Sequence, residues 1–170
     1  MKRGRAAGFT LVEVAVVVVI VTILGGVAMV GYHRYRSAAR LSEATSMVSA
    51  IRAAQSEYRG EMGVYANVSS GTTAFYPSRS PGPFKTAWGA PCDTCTDPYA
   101  WERLKVHAPG PVMYGYSTIA GIGGIVVNLA NPSDPFYVVT AHGDTDGDGV
   151  ACDVVGNSES NQLVITNDSE

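Results

Sequence analysis

Apolar positions fall into two regimes along this chain. From Phe9 to Val30 it reads FTLVEVAVVVVIVTILGGVAMV, 22 residues in which Glu13 is the only charge. As a helix rising ~1.5 Å per residue this run spans about 33 Å, enough to cross a bilayer core of roughly 30 Å. Further on, Leu41, Ala44, Val48, Ile51, Gln55 and Tyr58 recur in alternating steps of three and four, which places them on one helical face. Arg40, Ser42, Glu43, Ser49, Arg52 and Glu57 fall largely elsewhere. The pattern predicts one helix from Phe9 to about Arg59, roughly 75 Å long at the standard rise. Its first half is apolar on all sides and its second half is amphipathic, and Gly60 and Gly63 end it.

From Gly63 to Pro98 the chain is rich in Gly, Ser, Thr and Pro and reads as a loop, with Tyr65, Phe75, Tyr76, Phe84 and Trp88 pinning it to the body. Asp97-Pro98 then caps a short helix over Tyr99 to Leu104, whose Trp101 and Leu104 face the core. Alternating segments follow at Val112 to Thr118, Gly124 to Leu129, Phe136 to Ala141, Val150 to Val155 and Gln162 to Thr166. Their even spacing predicts an antiparallel meander with the amphipathic helix stripe on one face. The expected class is therefore α+β, a long N-terminal helix packed on a small C-terminal antiparallel sheet.

Charge sharpens the division. Hydrophobic residues make up 46% of the chain, but they are concentrated at its start. Three of the twelve basic residues, Lys2, Arg3 and Arg5, precede the apolar run, leaving nine basic against fifteen acidic residues in the rest. An acidic body has no electrostatic footprint for general nucleic-acid binding. A cleaved secretory signal has a shorter apolar stretch followed by a small-residue cleavage site, whereas here the basic leader ends before the apolar run begins.

Gly8-Phe9-Thr10-Leu11-Val12-Glu13, after a short basic leader and before an unbroken apolar run, resembles the prepilin signature of type IV pilins and type II secretion pseudopilins. The resemblance implies cleavage between Gly8 and Phe9 by a prepilin peptidase, and N-methylation of Phe9. It also gives Glu13 a task in assembly, neutralising the Phe9 ammonium of an adjacent subunit. Pairing two charges in a low dielectric removes a cost that each would carry alone. The competing reading has Glu13 shallow enough to reach lipid headgroups.

The resemblance divides the chain into a leader, residues 1–8, a transmembrane and polymerising half-helix, 9–30, an amphipathic half-helix, 31–60, and a globular pilin head, 61–170. It implies a bacterial inner-membrane protein with the leader cytoplasmic and the head periplasmic before assembly, then a place in a pilus or pseudopilus. Charge counting alone leaves orientation open, because Arg34, Arg36 and Arg40 follow the span as Lys2, Arg3 and Arg5 precede it. Those later arginines contact outer-face phosphates or lie on a solvated helix face. Where many pilins have a kinking proline, this chain has Thr22, Gly25, Gly26 and Gly31, which weaken the helix or allow close packing.

Two segments are candidates for chemistry. Asp144-Thr145-Asp146-Gly147-Asp148-Gly149 starts like an EF-hand loop, but Val155 stands where that loop needs a bidentate Glu. Asp144, Asp146 and Asp148 are a candidate calcium set, completed by Asp153, Glu159 or a backbone carbonyl, and the resemblance to pseudopilins, some of which hold calcium in a C-terminal loop, adds to it. The alternative is a solvated acidic turn. Cys92-x-x-Cys95 lacks both a surrounding βαβ pattern and a second ligand pair, so redox and zinc roles fall away. In an oxidising compartment a disulfide from Cys92 or Cys95 to Cys152 is expected, with Cys92 to Cys95 as the local alternative. His33, His107 and His142 are scattered and no catalytic constellation stands out.

The expected function is a structural subunit, a minor pilin or pilin-like protein, and not an enzyme. Its partners would be other subunits through the helix, the peptidase and an inner-membrane assembly platform. A secretion pseudopilin, or an anchored calcium-binding domain that never polymerises, is the alternative.

Overall fold

The computed structural model describes residues 8–89, 98–122 and 135–168. The chain divides between Arg36 and Ser37 into two compact units. Helix α1 (Leu11–Met62) begins in the first and ends in the second. It continues three residues past the expected end, through Gly60, and stops where Gly63 adopts a positive φ of 77° and donates its N–H to the Arg59 carbonyl at 2.8 Å. That left-handed residue is what a helix C-terminus needs to satisfy a terminal carbonyl.

In the first unit, every large apolar side chain from Leu11 to Met29 is at least half exposed. The helix runs unbroken through Gly25, Gly26 and Gly31. A surface this apolar needs lipid or other helices around it.

The second unit holds a short helix α2 (Pro98–Glu102) and four strands, β1 (Gly115–Ile122), β2 (Pro135–Gly143), β3 (Cys152–Asn157) and β4 (Val164–Thr166). They form one antiparallel sheet in the order β1-β2-β3-β4, in keeping with the expected α+β class, and β1 pairs directly with β2. The expected strand at Gly124 to Leu129 and the cap at Asp97 lie outside the described residues. Strand β1 starts later than its apolar pattern suggests. Val112 instead exchanges both backbone hydrogen bonds with Thr86, at 2.8 and 2.9 Å.

The outward edge of β1 is sealed by the loop region. Tyr116 exchanges backbone bonds with Tyr76 at 2.9 and 2.7 Å. Thr118 accepts from the Ser69 N–H at 2.9 Å, and its own N–H donates to Ser69 Oγ at 3.0 Å. The Ala120 N–H donates to Asn67 Oδ1 at 3.1 Å. These alternate residues point away from β2, so the pairing leaves no template for unwanted strand addition there.

The second half of α1 lies on the sheet. Ala44, Val48, Ile51 and Gln55 are fully buried, and Leu41 and Tyr58 are partly so. Gln55 is a polar residue in a core stripe because each end of its amide is used. Its Nε2 donates to the Ala66 carbonyl at 2.8 Å and to Thr118 Oγ1 at 3.0 Å, while its Oε1 accepts from the Ala66 N–H at 2.9 Å. Close approach of helix and sheet depends on Gly156, where a Cβ would come within 2.8 Å of Arg52 Cδ, 3.1 Å of Leu163 Cδ2 and 3.2 Å of Val48 Cγ1.

Of the aromatic pins, Phe75 and Tyr76 are buried, and Tyr65 and Trp88 pack against the core, with Trp88 edge-on to Trp101 at 5.4 Å. Phe84 is not a pin. It is 84% exposed, with Pro83 before it also exposed, and the segment is held instead by Lys85 and Thr86. Trp101 and Leu104 are buried as expected.

Candidate functional site

The motif residues form a capped helix start. Thr10 occupies the N-cap of α1, where its Oγ1 accepts the Glu13 N–H at 3.2 Å. Glu13 Oε2 returns to accept the Thr10 N–H at 2.8 Å and the Thr10 hydroxyl at 2.7 Å. The first turn of a helix leaves backbone N–H groups unpaired, and this reciprocal box satisfies two of them while holding a carboxylate at the positive end of the helix dipole. Phe9 is 87% exposed directly before the cap. The spacing Thr10-x-x-Glu13 carried this signal, and an eye fixed on the charge of Glu13 passes over the threonine. The box holds the carboxylate hydrogen-bonded to Thr10, the residue after Phe9.

Charged residues of the amphipathic half also do more than face solvent. Glu43 Oε1 accepts the Met113 N–H at 2.7 Å and its Oε2 pairs with Lys85 Nζ at 2.9 Å. Arg52 binds the Ser160 and Asn161 carbonyls at 2.7 and 3.1 Å. Arg40 Nη1 donates to Oγ1 of the buried Thr145 at 3.1 Å. Helical periodicity could not assign these roles, since each partner lies more than 40 residues away in sequence.

Thr145 belongs to the acidic turn between β2 and β3. Asp144 accepts the N–H groups of Gly147 at 2.7 Å and Gly149 at 3.0 Å, Asp146 accepts that of Asp148 at 3.2 Å, and Asp148 accepts that of Val150 at 2.7 Å. Gly147 and Gly149 have positive φ. One oxygen from each of the three carboxylates lies within 4.8 Å of the others, so they can face a single cation. Calcium takes six to eight oxygens, and backbone carbonyls or water would have to supply the rest. Asp153 stands apart from this trio: it sits opposite His142 in the β2–β3 register, with Oδ1 and Nδ1 2.7 Å apart. Phe75 stacks on the same imidazole at 4.8 Å between centroids.

Cys152 is buried beside the Tyr114 hydroxyl. Cys92 and Cys95 lie outside the described residues. Burial pushes the Tyr114 and Tyr116 hydroxyls well above the usual tyrosine pKa, and the nearby Cys152 thiol and Glu43 carboxylate act on Tyr114 in the same direction.

Comparison with known proteins bears on the helix start. The family model described as the prokaryotic N-terminal methylation motif matches residues 3–29. Fimbrial protein EcpC of Eikenella corrodens is 35% identical over 76 residues, which cover 44% of this chain and 50% of that protein. The chain thus spans about half the length of this curated relative. No solved structure matches it significantly. The methylation motif leads into an exposed apolar helix, and a four-stranded antiparallel sheet follows in sequence, an α+β arrangement that is pilin-like.

Proposed function

We propose that this chain is a structural subunit of a type IV pilus or pilus-like filament, a minor pilin or pilin-like protein. The observation that carries the reading is the methylation motif at residues 3–29 running into a helix with all its large apolar side chains from Leu11 to Met29 at least half exposed. In this reading the chain enters the inner membrane with residues 1–8 cytoplasmic. A prepilin peptidase cuts after Gly8 and methylates Phe9, and an assembly platform adds the subunit to a fibre through its helix. Glu13 then exchanges its bonds to Thr10 for the Phe9 ammonium of a neighbour, an exchange of one charged hydrogen bond set for another in a dry setting.

Intact-mass measurement of the membrane-extracted protein tests the first step. Loss of Met1 to Gly8 with the gain of one methyl group is expected, and a retained leader in a host with the peptidase would refute it. Replacing Glu13 by Ala should leave insertion intact and abolish assembly. An anchor that never polymerises would tolerate that change.

A second reading, an anchored calcium-binding domain, draws on the three carboxylates within 4.8 Å of one another. Within either reading we place calcium at Asp144, Asp146 and Asp148. Calcium should then raise the melting temperature and a chelator lower it, and no shift leaves an acidic turn. A type II secretion pseudopilin shares the motif and helix, and complementation of secretion as against piliation separates the two machines.

A further inference from the structure

The apolar run is followed at once by Tyr32-His33-Arg34-Tyr35-Arg36, a cluster to which neither the motif nor the capped start gives a role. All five residues are exposed, Tyr32 at 60% and Tyr35 at 74%. The Arg36 guanidinium lies over the Tyr32 ring, 5.8 Å from its centroid and one helical turn away, and His33 meets that ring edge-on at 6.5 Å. From Val14 to Ser42 the sequence has no acidic residue. Among the described residues, neither Arg34 nor Arg36 makes an ion pair with a carboxylate. The next arginine, Arg40, differs, because it is committed to Thr145.

Depth gives the cluster its meaning. With Phe9 at one edge of the hydrocarbon, a rise of ~1.5 Å per residue puts Tyr32 about 35 Å and Arg36 about 40 Å along the helix. A hydrocarbon core of about 30 Å within a bilayer of roughly 40–45 Å ends the opposite headgroup layer about 35–38 Å along. Tyr32 therefore lies within it and the Arg36 backbone a few ångströms beyond, with its side chain folded back over the Tyr32 ring toward that layer. Tyrosine rings favour that layer, where the ring meets acyl chains and the hydroxyl meets water, and the arginine stems can snorkel to phosphates. A guanidinium offers paired donors that match phosphate oxygens.

We infer that Tyr32, Arg34, Tyr35 and Arg36 form a belt that binds anionic phospholipid headgroups in the leaflet opposite the leader. The inference rests on the membrane-spanning reading of residues 9–30. Anionic lipid is favoured over zwitterionic lipid because a quaternary ammonium beside the phosphate opposes the arginines, whereas a glycerol headgroup does not. Basic residues at a lipid surface contribute on the order of 1 kcal/mol each, about fivefold per arginine.

The test uses the full chain in nanodiscs of phosphatidylcholine with a minority of phosphatidylglycerol, released into native mass spectrometry. The wild type should retain phosphatidylglycerol several-fold above its share in the disc, and a double Arg34→Gln, Arg36→Gln variant should lose most of that enrichment. Arg79→Gln, at an exposed arginine of the body, serves as the control and should change nothing. Both variants keep Lys2, Arg3 and Arg5, so equal enrichment in wild type and double variant would assign the lipid to the leader and overturn the belt. Retention in proportion to disc composition would overturn it as well, and would leave the arginines to an acidic surface of a neighbouring subunit. Failure to enter discs at all would instead overturn the membrane-spanning reading, which carbonate extraction of cell membranes checks independently.

Discussion

Replacing Gln55 by Leu removes a side chain that is buried completely and makes three hydrogen bonds. Leucine is larger than glutamine by only about one methylene, so lost polarity dominates the effect. Left behind are the Ala66 N–H, the Ala66 carbonyl and the Thr118 hydroxyl, with Ala66 4% exposed and Thr118 fully buried. An orphaned buried polar group costs about 1–3 kcal/mol, so three of them cost about 3–9 kcal/mol. Rotation of the Thr118 hydroxyl and the added apolar burial offset roughly 1–2 kcal/mol of this. A net loss of about 4 kcal/mol is expected, a large share of a marginal stability of roughly 5–15 kcal/mol. The assay is urea unfolding of the detergent-solubilised chain, followed by tryptophan fluorescence from Trp101, which is 1% exposed in the same core, and from Trp88 packed against it. Adding Thr118→Val to the Gln55→Leu background should recover about 1 kcal/mol by removing one orphan, although the same change in the wild type destabilises. A loss below about 1 kcal/mol would refute the reasoning, as would a Thr118→Val cost that is equal in both backgrounds.

Three further outcomes follow from the geometry. Gly156→Ala should cost about 1–3 kcal/mol in thermal unfolding, because its Cβ would sit 2.8 Å from Arg52 Cδ and push the helix off the sheet. Burial keeps Tyr114 and Tyr116 protonated in the folded protein above about pH 10, where an unfolded tyrosine ionises. The unfolded chain then binds fewer protons than the folded one, so stability should fall as pH rises past about 10, by at most ~1.4 kcal/mol per pH unit for each tyrosine. Tyr116→Phe should flatten that fall in urea midpoints measured across alkaline pH. Asp144→Ala removes the acceptor for Gly147 and Gly149 and should lower stability by about 1 kcal/mol in chelator. Asp146→Ala, which loses a single 3.2 Å bond, should cost less in the same melts.

Much of this architecture is local physics, which is why it is legible in the chain itself. A continuous apolar run with a lone acid at Glu13 dictates an exposed helix in search of lipid or of its own kind. The three-four rhythm from Leu41 to Tyr58 likewise dictates which face meets the sheet, and Gly63 dictates where the helix stops. Turn-separated alternating segments marked an antiparallel sheet, but spacing did not fix its strand order, and the direct pairing of β1 with β2 came from the fold. Thr10 belonged to the legible part too, since a cap three residues before a glutamate is a sequence pattern.

Other assignments needed the folded chain because they depend on distance in space between residues far apart along it. Periodicity put Glu43, Arg40 and Arg52 off the buried stripe, and so they are, but the loops flanking the strands supplied each with a partner, Met113, Thr145 and Asn161 in turn. The start of β1 was decided in the fold, where Val112 pairs with Thr86 and not with β2. Asp153 and Asp144 look alike as acids near a turn. Register alone sends Asp153 to His142 and keeps Asp144 with the backbone amides of its own loop. Composition and period therefore determined what kind of surface each segment carries, while tertiary structure decided which polar groups meet, because hydrogen-bond partners are set by angstroms and patterns are not.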